Sequence, residues 1–278
     1  MVEKERNTLT DEEQRIIETI SKINHRIAVF SGKGGVGKTT VSVNLAYALK
    51  NEGFTTGILD SDITGPNVAK MFGIDSEAII LNSKIIPFEK HGVKMISIAS
   101  LIGRGQPVIW RGPLRSKMIN QFLADVEWED LDYLIADLPP GTGDEILTIC
   151  QQMKPDYAVI VTTPQEVSII DAERAVNMAK QLHISFIGII ENMSGFICPH
   201  CNKEIELFGR GGGKKLAENY GVNFLGSIPV DIEARVLSDE GKPVVLEKKN
   251  SEIANAFKNI SNTMLELSQK AHLEILNN

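Results

Sequence analysis

Seven short apolar runs recur along the chain, most of them closed by Gly, Pro, Asp or Asn: RIAVFS (26–31), TTGILD (55–60), VKMISIA (93–99), DYLIAD (132–137), DYAVIVTT (156–163), SFIGIIEN (185–192) and NFLGSIP (223–229). Near-continuous Val/Ile runs of this length predict strands buried on both faces. Helical patterns lie between most of them, the first over about 37–51. Strands alternating with amphipathic helices predict an α/β fold with a mostly parallel sheet flanked by helices.

Both ends of the chain read as helices packed on that sheet. Thr10 and Glu13 have the spacing of a capping box, and Ile16, Ile20 and Ile23 follow on one face. Near the C-terminus, Ile253, Phe257, Ile260, Met264 and Leu267 form an apolar stripe. A membrane-surface helix carries such a stripe with a basic rim, but here only Lys258 and Lys270 are available, so the stripe reads as core packing. The expected organisation is a helical lead-in over 1–25 and a single domain over 26–278.

Composition narrows the function. The chain is 42% hydrophobic and 23% charged, has 11 prolines, and contains no run of about 18 apolar residues able to span a membrane. Its first residues are polar, unlike a secretory signal, and the expected location is the cytoplasm. A net charge of −7 argues against a nucleic-acid partner. Three cysteines cannot build a disulfide framework; two form a CxxC pair, Cys198 and Cys201, which suggests metal or redox chemistry.

GKGGVGKT at 32–39 fits the phosphate-loop pattern and sits between a predicted strand and a predicted helix. Gly32, Gly34, Gly35, Val36 and Gly37 present backbone N–H groups to phosphates at a helix N-terminus. Lys38 reaches the β- and γ-phosphates, Thr39 ligates Mg²⁺, and Thr40 adjoins them, so the expected cofactors are ATP and Mg²⁺. The chain is therefore expected to be a P-loop NTPase that hydrolyses ATP.

Two further strands end in acidic loops. Asp60 and Asp62 close the second run, at the strand ends that face the ligand crevice of an open α/β sheet. Asp60 is placed to hold Mg²⁺ through water and Asp62 to orient the attacking water; either fits equally as a turn residue. DLPPGTGD at 137–144 supplies a Walker-B-like Asp137 and a Gly/Pro loop suited to sensing the γ-phosphate. Asp144 also fits as a helix cap.

The extra lysine, Lys33, makes the loop resemble the deviant Walker A class, which includes MinD/ParA-like, arsenite-pump and nitrogenase-reductase ATPases. That resemblance implies a dimer in which Lys33 reaches the partner's nucleotide. A more specific resemblance is carried by DxDxxGP at 60–66, WRGP at 110–113, DLPPGTGD, ENMSGFxCPHC at 191–201 and ARVLSDEGKP at 234–243. These occur in the order found in the Mrp/ApbC-type ATPases, the iron–sulfur cluster carrier branch, and cover about residues 26–245.

The resemblance implies a homodimer in which Cys198 and Cys201 of each subunit hold one [4Fe–4S] cluster destined for apo iron–sulfur proteins. It also implies that Asn192 contacts adenine, with the segment after Pro229 as the other candidate. Cys150 reads as a buried helix residue. The family usually has DADxYGPS where this chain has Ser61, Thr64 and Asn67; the cysteine-rich extension of eukaryotic members is not seen, so no second cluster is expected. Three other readings stand beside the carrier: a positioning ATPase of the MinD/ParA kind, an ATPase with structural zinc at the CxxC pair, and a dithiol redox pair.

Overall fold

The structure is a computed structural model and describes residues 9–62, 65–100 and 112–276. Thr64, Trp110 and Arg111 lie outside the described residues. Helix α1 (Asp11–Ile20) begins on the expected capping box: Thr10 Oγ accepts from Glu13 N at 3.2 Å, while the Glu13 carboxylate accepts from Thr10 N at 2.7 Å. Strand β1 (Ile23–Phe30) starts three residues before the expected Arg26. The reason is its ladder with a parallel neighbour, which extends to Ile23 opposite Leu131, with His25 stacked on Tyr133. Residues 23–25 thus belong to the sheet, and the lead-in is confined to what precedes them.

The chain continues through α2 (Lys38–Asn51), β2 (Thr56–Asp60), α3 (Val68–Met71), the hairpin β3 (Ile79–Leu81) and β4 (Lys84–Ile86), β5 (Phe88–Lys90) and β6 (Val93–Ser97). After α4 (Gly112–Asp125) come β7 (Leu131–Asp137), α5 (Asp144–Met153), β8 (Tyr157–Thr162), α6 (Glu166–Gln181) and β9 (Phe186–Glu191). The remainder is a small hairpin of β10 (Phe196–Ile197) and β11 (Glu204–Ile205), then α7 (Gly212–Tyr220), β12 (Asn223–Ser227), α8 (Ile232–Asp239), α9 (Val244–Glu247) and α10 (Glu252–Leu276). All seven predicted strands are present, whereas β3, β4, β5, β10 and β11 carry too few residues to show a pattern.

Eight strands form one sheet in the order β12-β9-β8-β1-β7-β2-β6-β5, parallel throughout except for the edge strand β5. Every residue of β2, β8 and β9 is buried. Alternate residues of β1 feed opposite faces: Ala28 and Phe30 join a core with α1, α4, α5, α6 and α7, while Ile27 and Val29 join one with α2, α3, α8, α9 and α10. Each such Val or Ile contributes about 1.5–3 kcal/mol on burial, which fixes which face a strand residue takes. The C-terminal stripe docks as expected, with Ile253, Phe257, Ile260 and Met264 buried on α10.

Two glycines set the spacing of the second face. Gly241 (φ +71°) and Gly73 (φ +62°) follow the ends of α8 and α3, and a Cβ on Gly241 would lie 2.3 Å from Gly73 Cα. Backbone therefore meets backbone, in conformations that disfavour any side chain. We expect Gly241→Ala to destabilise the protein by at least ~2 kcal/mol, measured by urea unfolding, because strain and overlap add.

Candidate functional site

The three motif-bearing strands lie side by side as β1, β7 and β2, with Val29 opposite Asp137 and Asp137 opposite Asp60. Parallel register therefore brings the phosphate loop and both acidic strand ends to one edge of the sheet. The loop runs from the end of β1 to Lys38, the first residue of α2. Gly37 caps that helix at φ +85°, and a Cβ there would lie 2.1 Å from Asn192 Nδ2. Asn192 is buried and its Nδ2 donates to the carbonyl of Val36 at 2.9 Å. Asn192 thus braces the phosphate loop through Val36.

Asp137 is fully buried and gathers three groups of α2. Lys38 Nζ lies 2.7 Å from Oδ1, Ser42 Oγ donates to Oδ1 at 2.7 Å, and Thr39 Oγ donates to Oδ2 at 2.7 Å. The Lys38 contact is ionic and lacks the alignment of a hydrogen bond. The Asp137 carbonyl also accepts from Ser61 N at 3.1 Å and Ser61 Oγ at 2.8 Å, which joins the first acidic loop to the second. Thr39 and Asp137 together form an oxygen pair of the kind that suits Mg²⁺.

Asp60 is also fully buried, with Oδ2 accepting from Ser97 Oγ (2.8 Å) and Val68 N (3.2 Å), and Oδ1 from Asp62 N (3.3 Å). Burial, reinforced by the neighbouring Asp137 charge, pushes its pKa up to about 7 against the pull of Ser97 and Lys38. Asp60 therefore organises the turn that carries Asp62. Asp62 accepts from Gly65 N at 3.1 Å and also lines the cavity.

That cavity, of about 300 Å³, lies over the phosphate loop and is walled by Lys38, Thr39, Thr40, Asp62, Pro140 and Asp239, among others. Lys33 is half-buried on the loop and forms no ion pair among the described residues. The N-cap of α5 is Gly143, so Asp144 is its first helical residue rather than the cap. Cys150 is buried on α5, and burial pushes its thiol up to about 12.

Cys198 and Cys201 lie on the tight turn between β10 and β11. Cys198 N donates to Lys203 O at 3.0 Å, Asn202 N to Cys198 O at 2.9 Å, and Asn202 closes the turn at φ +55°. The Cys198 pKa is lowered by the His200 backbone N–H, then by the N–H and thiol of Cys201. Cys198 is half-buried and Cys201 exposed. Among the described residues, no cluster of three or more potential metal ligands forms within one chain. This pair therefore needs thiolates from elsewhere to complete a four-sulfur site.

Sequence reasoning missed three polar residues here. Ser42 lies one helical turn after Lys38, and Ser97 is the register partner of Asp60 across β2 and β6. Glu191 is fully buried, and its carboxylate accepts from Gly211 N (2.8 Å), Gly213 N (2.6 Å) and Ser194 Oγ (2.5 Å). The signal for it was the glycine-rich run after the cysteines, GRGGG at 209–213.

A phosphate loop between a buried strand and a helix, with a buried aspartate behind it on a parallel sheet, defines a P-loop NTPase. A family model described as ParA, "NUBPL iron-transfer P-loop NTPase", matches residues 22–265, and the chain belongs to that family. It is 52% identical over 262 residues to the "Iron-sulfur cluster carrier protein" of Methanocaldococcus jannaschii, covering 93% of this chain and 90% of that protein. Among solved structures it is similar to a nucleotide-binding protein of Archaeoglobus fulgidus in complex with ADP, in which cobalt was found. The TM-score is 0.75 and the identity 39%, covering 88% of this chain and 96% of that one. The cell-division ATPase MinD of Pyrococcus furiosus shares the fold at a TM-score of 0.66 and 22% identity, covering 88% and 99%.

The Asp60 environment predicts a pH signature. Its pKa is raised on folding from 3.8 to about 7, so its contribution favours the folded state at low pH and is lost as pH rises through 7. Asp60→Asn mimics the protonated group. We expect its melting temperature, relative to wild type, to improve between pH 5 and pH 8 by several degrees, in scanning calorimetry of the nucleotide-free protein.

Proposed function

We propose that the protein binds and hydrolyses ATP with Mg²⁺, and as a homodimer carries a [4Fe–4S] cluster between Cys198 and Cys201 of two subunits for delivery to apo iron–sulfur proteins. One observation carries this reading. The CxxC pair is displayed on a tight turn whose backbone N–H groups lower the Cys198 pKa, on the segment that begins at the phosphate-loop brace Asn192. The family and the printed name of the M. jannaschii relative support iron–sulfur cargo over zinc, redox or positioning roles.

For hydrolysis, Lys38 would exchange Asp137 for the nucleotide's phosphates, and Thr39 and Asp137 would hold Mg²⁺, which would supply charge to offset that of the phosphates. Asp62, on the cavity wall, orients the attacking water, and Lys33 offsets charge at the partner's nucleotide. Asn192 contacts the adenine base, with the segment after Pro229 as the other candidate. The cluster is cargo in this scheme, and the protein works in the cytoplasm without nucleic acid or membrane.

The ATP part is tested by calorimetric titration and phosphate release. Lys38→Ala is expected to weaken Mg²⁺–ATP binding by about 10–100-fold. Lys33→Ala is expected to leave binding near wild type and slow turnover at least ~10-fold. Unchanged turnover in Lys33→Ala would leave that lysine a solvated loop residue.

The cargo part is tested by anaerobic reconstitution with iron and sulfide. We expect a brown dimer with about four irons, and loss of iron in Cys198→Ala or Cys201→Ala with ATP binding retained. Cys150→Ala is expected to keep both. One zinc per dimer without iron uptake would favour the structural-zinc alternative instead.

A further inference from the structure

Ser31 follows the last residue of β1 and is 1% exposed, yet its hydroxyl has no hydrogen-bond partner among the described residues. The buried serines around it differ: Ser42 Oγ donates to Asp137, Ser61 Oγ to the Asp137 carbonyl, Ser97 Oγ to Asp60 and Ser194 Oγ to Glu191. A buried hydroxyl without a partner works against the folded state, so its retention calls for an explanation. Lys38 Nζ, the cation of the site, likewise lacks an aligned hydrogen bond, and both residues contribute to the wall of the same cavity.

The surroundings say which part of a ligand Ser31 meets. Its wall of the cavity includes Gly34, Gly35 and Pro140, and its carbonyl accepts from Gly141 N at 2.9 Å. Ser31 is thus tied to the loop after β7, the segment suited to sensing a terminal phosphate. The backbone leading to Ser31 is held in register on both sides, Val29 opposite Asp137 and Phe30 opposite Ile160.

We propose that Ser31 is a specificity-determining residue whose hydroxyl donates to the terminal phosphate of a bound nucleoside triphosphate. The site thereby distinguishes triphosphate from diphosphate before hydrolysis begins. The inference rests on the phosphate-loop reading above and is independent of the cluster.

The test is equilibrium titration of wild type and Ser31→Ala with Mg²⁺–ADP and with Mg²⁺ and a non-hydrolysable ATP analogue. The expected result is an analogue affinity lowered about tenfold while ADP changes by less than about twofold. The nucleotide-free variant is expected to melt at or above the wild-type temperature, since it loses a hydroxyl that has no partner; a structural serine would lower it. Equal losses for both nucleotides, or no loss for the analogue, would overturn the proposal. Wild-type protein that binds neither nucleotide would overturn the phosphate-loop reading beneath it.

Discussion

The carboxylate of Asp137 is fully buried and held by Lys38, Thr39 and Ser42, all from the first turns of one helix. Burying an ionised carboxylate is strongly unfavourable unless cations and donors surround it, and removal of one partner leaves a charge uncompensated. This need fixes the angle at which α2 leaves the phosphate loop and ties the loop to the middle of the sheet. Through its carbonyl, Asp137 also holds Ser61, so the turn bearing Asp62 is referred to the same point. Three loops distant in sequence share one electrostatic anchor.

Asp60 shows what that anchor demands of its neighbours. Two carboxylates sit opposite each other on adjacent parallel strands with one lysine between them. Burial and the neighbouring Asp137 charge together raise the affinity of Asp60 for a proton. Its hydrogen bonds run to Ser97 and to Val68 N at the start of α3, so it works as a strut between β2, β6 and α3.

Much of this was legible in the sequence, because the signals were local. Apolar runs gave the strands, glycines with Lys38 and Thr39 gave the loop, and Thr10 with Glu13 gave the first helix cap. The acidic strand ends were found because parallel strands place Asp60, Asp137 and the loop at one edge. What escaped was polar and long-range. Ser42 looks like any small helix residue until Asp137 is opposite it, and Glu191 looks like a strand-end acid until Gly211 and Gly213 reach it from 20 and 22 residues away. The start of β1 at Ile23 was hidden by the polar Asn24 and His25, whose partners lie on other strands: Asn24 donates to Asp132, while His25 stacks on Tyr133 and meets Tyr157 edge-on. Asn192 was found through resemblance, but its partner could not be read from one sequence, since a buried amide is defined by what faces it.

The Asn192 brace has a consequence in plain length. Cys198 lies six positions after it, a tether that spans no more than about 20 Å when fully extended. Midway, Ser194 N is pinned to Ile228 O and Gly195 O receives Val230 N, which removes most of the slack. The sulfur atoms and the phosphate loop therefore occupy opposite ends of a short, tensioned strap. Insertions after Cys201 leave this span unchanged, but an insertion of a few residues before Cys198 would leave the two ends free to drift apart.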